Sequence, residues 1–370
     1  MSVFSGDSSF MLPATLDDVR PLLLTEALRS SGLLSSASVK NIQVVNRYTG
    51  MTSQIGRIQL EYDRDVPEAP RTVIIKLPSP DEKTRQYFSS WGYYEREVQF
   101  YSILDGKMTF RMPHCYASAY DTSTGMSLLV LEDLEGLDNQ VTYENCSAER
   151  AEIVTRVLAK FHAAWWGQPA LEEFDWVYRP SNSVNQSMVE TALRNWERFC
   201  LAVGDHRTTV MDAITGHVAV FPQIKARWMN RPPFTMNHGD FQFPNLFFDP
   251  LQPEAEPVVT DFQFVSRSCG PANDLAFFIC TCLDTPIRKA CETHLLDLYY
   301  SFLPRQAIAD YPFSLFMQDY RFGIFNCMMR LATLVGEGYI KDQDVLLARF
   351  RRTSTIFEDN QAWKVLDEAL

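Results

Sequence analysis

The chain has 370 residues and a net charge of −12, with 46% hydrophobic and 22% charged side chains. That mix is globular, which excludes disorder, collagen and coiled coil. The negative field repels phosphate backbones and anionic lipid, so neither nucleic acid nor a membrane surface is an expected partner.

In chain order, residues 1–13 read as a loose tail without the basic and apolar runs of a signal peptide. A helix is expected from Thr15, an N-cap hydroxyl followed by Asp17 and Asp18, to about Ser31, although Pro21 interrupts its first turns. Strand-like runs follow at Ile42–Tyr48, Gly56–Tyr62 and Thr72–Leu77, each β-branched or aromatic and bounded by turn formers, so an antiparallel sheet is the natural product. One helix fits Thr84 to Leu104, and two more strands fit Cys115–Tyr120 and Ser127–Leu131. Near residue 135 the texture becomes helical, with strong amphipathic runs at Ala148–Trp166 and Ser187–Leu201. Short strands return only around His238 and Val258–Phe264, and the remainder from about 272 is helical. Cys280, Cys282, Cys291 and His294 have the residue types of a zinc site, but they fall in helical texture, where positions two apart point about 200° away from each other. With eight scattered cysteines and no CxxC pair, reduced buried thiols and a cytoplasmic location are expected.

The chemistry concentrates in Asn237-His-Gly-Asp-Phe-Gln-Phe-Pro-Asn245 and in Val258-Val-Thr-Asp-Phe-Gln263. Asp240, Asn245 and Asp261 at these spacings suit phosphoryl transfer: one carboxylate takes the proton of an attacking hydroxyl, while an amide oxygen and a second carboxylate hold Mg²⁺, a hard cation that prefers oxygen.

His238–Asn245 resembles the catalytic loop of the aminoglycoside phosphotransferase and choline kinase superfamily, and Asp261-Phe-Gln263 resembles its metal-binding segment, with the ecdysteroid-kinase-like branch the most similar in flavour. Val73-Ile-Ile-Lys76 resembles the nucleotide-lysine strand, Arg96–Tyr101 the helix of its partner glutamate, Leu129–Leu134 the hinge, and Gly270–Phe277 the segment after the metal aspartate. The resemblance implies an α+β, bilobed protein-kinase-like fold: an antiparallel-sheet N-lobe with one main helix, and a larger, mostly helical C-lobe. The implied organisation is a tail and helix over 1–37, a nucleotide-binding lobe and hinge over 38–134, and a helical lobe over 135–370 that carries the catalytic and metal loops (237–263) and a cap from about 283.

The resemblance also implies an ATP- and Mg²⁺-dependent kinase in which Asp240 is the base, Asn245 and Asp261 bind the metal, Lys76 binds the α/β-phosphates, and Glu97, rather than Glu95, orients Lys76. Adenine would meet the backbone of Glu132, Asp133 and Leu134. The phosphate-covering loop Tyr48–Gly56 matches no glycine-rich pattern, so phosphate contacts from Thr52 and Ser53 and a plain hairpin are both open. His238 is expected to brace the loop and His162 to be core, while Asp274 is either a loop partner or a helix-start acid.

Only 12 residues separate Asp261 from Asp274, leaving no room for a peptide-docking activation segment, and Gln242 stands where protein kinases usually carry lysine. A small-molecule hydroxyl is therefore the expected acceptor. A catalytically silent nucleotide-binding scaffold and, less favoured, a protein kinase are the alternatives. Acids of the cap (Asp284, Asp297, Asp319, Glu337, Asp342, Asp344) could meet a cationic acceptor. Its aromatics (Tyr299, Tyr300, Phe302, Phe316, Tyr320, Phe322, Phe325) could line an apolar pocket or simply form core.

Overall fold

The computed structural model describes residues 11–180, 183–268, 271–304 and 310–367; most of the expected tail (1–10), Cys269 and Gly270 lie outside them. The chain forms two compact units, one reaching to Leu137 and including Val258–Phe264, the other made of Asp138–Pro257 and Val265–Leu370.

In the first unit the expected N-terminal helix is divided. A 3-10 turn at Leu16–Asp18 precedes α1 (Pro21–Ser30), because Pro21 has no amide hydrogen to continue an earlier helix but fits the first position of a new one. Five antiparallel strands follow: β1 (Val39–Thr49), β2 (Ser53–Tyr62), β3 (Thr72–Pro78), β4 (Cys115–Asp121) and β5 (Met126–Glu132), in the spatial order β1-β2-β3-β5-β4. Alternate residues share a face. Ile58, Leu60, Val73, Ile75, Leu77, Leu128 and Val130 form one buried cluster with Leu23, Leu24, Ala27 and Leu28 of α1. Lys76, between Ile75 and Leu77, therefore belongs to the other face of the sheet.

The single helix expected over 84–104 is two helices, α2 (Glu82–Ser90) and α3 (Tyr93–Leu104). Gly92 breaks it by taking φ +69°, a left-handed conformation that costs glycine little, and Arg96 Nη2 donates to Trp91 O at 2.9 Å across the break. α3 packs on β4 and β5. Segment 258–264 is strand only at Val258–Val259, shorter than expected, and Val259 N donates to Arg111 O at 2.9 Å.

The second unit is mainly helical: α4 (Ala148–Trp165), α5 (Gln186–Val203), α6 (Phe221–Met229), α7 (Ala276–Cys282), α8 (Thr285–Ser301), α9 (Phe313–Gly336) and α10 (Gln343–Asp359). Polar caps start several of them, Ser147 on α4, Asn185 on α5, Asp284 on α8 and Asp342 on α10, each accepting from a first-turn amide. The β insert is a pair, β6 (Thr235–Asn237) antiparallel to β7 (Ser266–Ser268). Tyr299, Phe316, Tyr320, Phe322 and Phe325 are fully buried, so these five cap aromatics are packed core, while Tyr300 and Phe302 are half-buried. Asp297 and Asp344 of the cap acids are exposed, and the other four are engaged structurally, Glu337 by Asn195 Nδ2 at 3.0 Å. Asp284 and Asp342 are helix caps, while Asp319 is buried and accepts from Trp228 Nε1 (2.7 Å), Tyr311 Oη (2.5 Å) and Arg231.

Among the described residues no helix is long and apolar enough to cross a membrane. Cys280, Cys282 and Cys291 are buried, whereas His294 is exposed and meets Glu152 at 3.1 Å; among the described residues no three or more His, Cys, Asp or Glu side chains converge as metal ligands.

Candidate active-site residues

In the first unit, Lys76 of β3 lies between two carboxylates. Its Nζ donates to Glu97 Oε1 at 2.8 Å and to Asp261 Oδ1 at 3.0 Å. Glu97 comes from the middle of α3 and is 4% exposed, and Asp261 from the returning segment is 30% exposed. Glu95 is half-buried and makes no such contact. Burial acts to lower the Lys76 pKa, but the Asp261 and Glu97 charges outweigh it and hold the ammonium above its ordinary value. Burial pushes Glu97 up to about 6, with Lys76 pulling down and the Asp261 charge pushing up. Two carboxylates share one ammonium here, so the cluster holds an excess negative charge.

The turn at Asp261 has φ +67°, rare for a non-glycine residue and typical of segments held by their surroundings. The holding contacts are specific. Phe262 is fully buried and stacks on Phe100 with centroids 3.9 Å apart and planes 11° apart. Arg96 Nη1 donates to Gln263 O at 2.6 Å, and Thr52 Oγ1 donates to Gln263 Oε1 at 2.7 Å. Gln263 thus ties the β1–β2 turn to the segment of Asp261.

That turn is a tight hairpin in which Gly50 N donates to Ser53 O at 2.9 Å. The hydroxyls of Thr52 and Ser53 are buried and 3.0 Å apart, and Tyr94 Oη donates to Thr52 O at 2.6 Å. These side chains are thus engaged within the protein and do not project from the loop. At the end of β5, Glu132 accepts from His114 N at 3.1 Å and from Arg111, and Asp133 pairs with Arg57 at 2.8 Å. Leu134 is half-buried.

In the second unit, β6 delivers the loop that begins with His238. Gly239 takes φ +82°, which a side chain would resist, and the chain then turns so that Asp240 and Asn245 meet. Asn245 Nδ2 donates to Asp240 O at 2.9 Å and to Asp240 Oδ2 at 3.1 Å, and Gln242 Nε2 lies 3.0 Å from both Asp240 carboxylate oxygens. Asn245 sits in a 3-10 turn, Phe243–Asn245, whose Pro244 suits its first positions.

Asp274 clamps the loop from below, accepting from His238 N at 2.6 Å and Gly239 N at 2.8 Å. It also meets His162 Nε2 at 3.2 Å, and His162 Nδ1 meets Tyr299 Oη at 2.5 Å. All three are fully buried, so His162 is a core residue that also supports the loop through Asp274. His238 is buried, with Nδ1 facing Asp240 N at 3.2 Å, which is a bracing position.

One residue at the Asp240 carboxylate escaped the sequence reading. Arg330 of α9 donates from Nη2 to Asp240 Oδ1 at 2.6 Å and from Nη1 to Gly239 O at 2.8 Å, with its guanidinium over the Phe277 ring at 4.1 Å. The signal for it was present: Arg330 is the sole charge between Phe322 and Gly336, an otherwise apolar helical run.

The profile of the Ecdysteroid kinase-like family matches residues 48–308. A Caenorhabditis elegans protein, "Uncharacterized oxidoreductase dhs-27", is 23% identical over 323 residues, covering 75% of this chain; the chain spans about a third (36%) of that protein's length. Among solved structures, choline kinase from Cryptosporidium parvum Iowa II superposes with a TM-score of 0.52 at 12% identity, covering 88% of this chain and 92% of that one. The GDP complex of a mutant aminoglycoside 2′-phosphotransferase-IIIa gives 0.51 at 11% identity, covering 93% and 98%. At such identities the likeness establishes the fold, a kinase-like one with an antiparallel five-stranded sheet and a mainly helical second part. With 261 of its 370 residues inside the family profile, the chain belongs to the Ecdysteroid kinase-like family.

Proposed function

We propose that this protein is an ATP- and Mg²⁺-dependent phosphotransferase acting on a hydroxyl group of a small molecule. The observation that carries this reading is the buried Lys76 ammonium held 2.8 Å from Glu97 and 3.0 Å from Asp261. A lysine fixed in this way presents a charged, oriented donor to phosphate oxygens, and Glu97 is the group that orients it. The backbone of Glu132 to Leu134 would take the adenine. Because the Thr52 and Ser53 side chains are engaged internally, contact with phosphate at the β1–β2 turn falls to its backbone amides.

In the second unit, Asp240 is the base that accepts the acceptor's hydroxyl proton. Gln242, Asn245 and Arg330 fix the plane of its carboxylate, and the Asp274 clamp fixes the loop behind it. The donor set also fits a hard cation. Asp261 Oδ2 has no hydrogen-bond partner among the described residues, and carboxylate and side-chain amide oxygens are the ligand types a hard cation takes. Mg²⁺ held by these two residues would neutralise charge on the phosphate oxygens. The chain's own contribution is positioning and fixed electrostatics, without a covalent intermediate.

The test is Asp240→Asn, assayed by ADP release across a library of hydroxyl compounds. The variant should lose on the order of 10²–10⁴ in kcat while retaining nucleotide affinity. Undiminished turnover with an acceptor that the native protein uses would reject the assignment of the base.

A further inference from the structure

Among the described residues, four hydrogen bonds end on the Asp240 carboxylate, two on each oxygen. Oδ1 accepts from Gln242 Nε2 at 3.0 Å and from Arg330 Nη2 at 2.6 Å, and Oδ2 accepts from the same Gln242 nitrogen at 3.0 Å and from Asn245 Nδ2 at 3.1 Å. Two carboxylate oxygens offer about four lone-pair positions, so none is left over. A base has to stand within about 2.6–3.2 Å of the hydroxyl whose proton it takes. An acceptor hydroxyl therefore reaches the Asp240 carboxylate only by replacing one of these three donors.

The donors are not held alike. Arg330 makes a charge-assisted bond, grips Gly239 O at 2.8 Å with its other amino nitrogen and lies 4.1 Å over the Phe277 ring. Asn245 also donates to the main-chain oxygen of Asp240 at 2.9 Å. The side chain of Gln242 hydrogen-bonds to this carboxylate and, among the described residues, to nothing else. It precedes the 3-10 turn Phe243–Asn245 without capping it, and it is half-buried. One neutral nitrogen shared between two oxygens is a weaker hold than the charged fork of Arg330. The direction of the amide follows from charge, because its oxygen turned toward both carboxylate oxygens would be repelled.

We propose that Gln242 is a specificity-determining residue: its amide closes Asp240 to water, and the hydroxyl of a bound acceptor opens the base by taking the amide's place. This deepens the kinase reading above and rests on it. Displacing Gln242 forfeits two hydrogen bonds to a carboxylate. A water molecule has no further contacts with which to offset that loss, whereas an acceptor has the rest of its bound surface. In either transfer the incoming oxygen bonds to the γ-phosphorus, the bond from that phosphorus to the ADP oxygen breaks, and the hydroxyl proton passes to Asp240 and then to solvent. With water the products are ADP and inorganic phosphate, so Gln242 guards ATP against hydrolysis.

The full chain is incubated with ATP and Mg²⁺ in a buffer free of hydroxyl compounds, so that water is the acceptor, and release of ADP and phosphate is followed. Gln242→Met removes the amide while keeping the length of the side chain, and it should raise this hydrolysis by about tenfold, the scale of a modest hydrogen bond to a charged group. The double variant Gln242→Met/Asp240→Asn should lose the gain, which traces the leak to the base. With an acceptor that the native protein phosphorylates, Gln242→Met should release more ADP than it forms product, at an acceptor KM no higher than native. A residue that only held the carboxylate in plane predicts the opposite sign, slower turnover with water and acceptor alike. The main-chain bond of Gln242, whose carbonyl accepts from Asn245 N at 2.9 Å, does not depend on the side chain, and melting temperatures check that both variants are folded. Hydrolysis by Gln242→Met at or below the native rate, or a gain that survives in the double variant, overturns the assignment of Gln242 alone. Failure of the native protein to bind ATP with Mg²⁺ in calorimetry overturns the kinase reading and this inference with it, a result read apart from the hydrolysis rates.

Discussion

Replacing Lys76 with methionine tests the central cluster of the first unit, because it removes the ammonium and leaves its two carboxylates facing each other. Both oxygens touch one nitrogen, so they lie within about 6 Å of one another, where two like charges at an effective dielectric near 20 repel by roughly 3 kcal/mol. The variant has a way to limit that cost. Glu97, the more buried carboxyl and already pushed up to about 6, takes a proton. Relative to an ordinary glutamate near 4.5, holding that proton at pH 7 costs about 3 kcal/mol, against about 2 kcal/mol for the native cluster with its value near 6. The sign follows from linkage. Above pH 6 the folded variant holds a proton that the native fold has released, so the variant alone loses stability as pH rises. The gap between the two proteins should therefore widen by about 1 kcal/mol from pH 6 to pH 7. Urea unfolding followed by circular dichroism from about pH 5 to pH 7.5, on both proteins, measures the gap. A gap that stays constant, or narrows, between pH 6 and pH 7 would refute the reasoning.

Two further predictions concern structure. A Cβ on Gly336 of α9 would lie 2.7 Å from both Cα and Cβ of Asn195 on α5, so Gly336→Ala should destabilise by about 1–3 kcal/mol in chemical denaturation. Gly56→Ala would meet only the flexible tip of Leu16 and should cost distinctly less, an ordering whose reversal would contradict the close helix crossing. At the β4–β5 turn, hydrogen bonds from the Thr124 and Ser123 hydroxyls and the Ser123 amide hold Asp121 down to about 2. A depressed carboxyl stabilises above its ordinary value of 3.8 and loses that contribution as pH falls through the depressed one. The melting-temperature difference between native protein and Asp121→Ala should therefore be full near pH 5 and shrink steadily below pH 4; a difference that persists unchanged toward pH 2 would remove the turn from the account.

The sequence alone determined the elements whose information is local. The alternation of Val73, Ile75 and Leu77 placed Lys76 on the opposite face of a strand. The contiguous stretches His238–Asn245 and Asp261–Gln263 carried their residue types at short, readable spacings. The choice of Glu97 over Glu95 came from the family pattern, and the structure brings its carboxylate to Lys76. Local reading failed where one residue overrode a periodic run: the apolar pattern of 84–104 continues through Gly92, but the left-handed turn there makes two helices of it.

Tertiary structure decided what depends on residues far apart in the chain. Thr52 and Gln263 are 211 positions apart and Arg330 and Asp240 are 90, so no spacing in the sequence relates them. The charge near Asp240 is the clearest instance. Composition made the chain acidic and left a cationic acceptor open, but folding uses Asp284 and Asp342 on helix starts and Asp319 in buried hydrogen bonds while bringing Arg330 to the Asp240 carboxylate. Net charge sums over the whole chain, whereas a binding site responds to the few charges within several ångströms, and only packing chooses which those are.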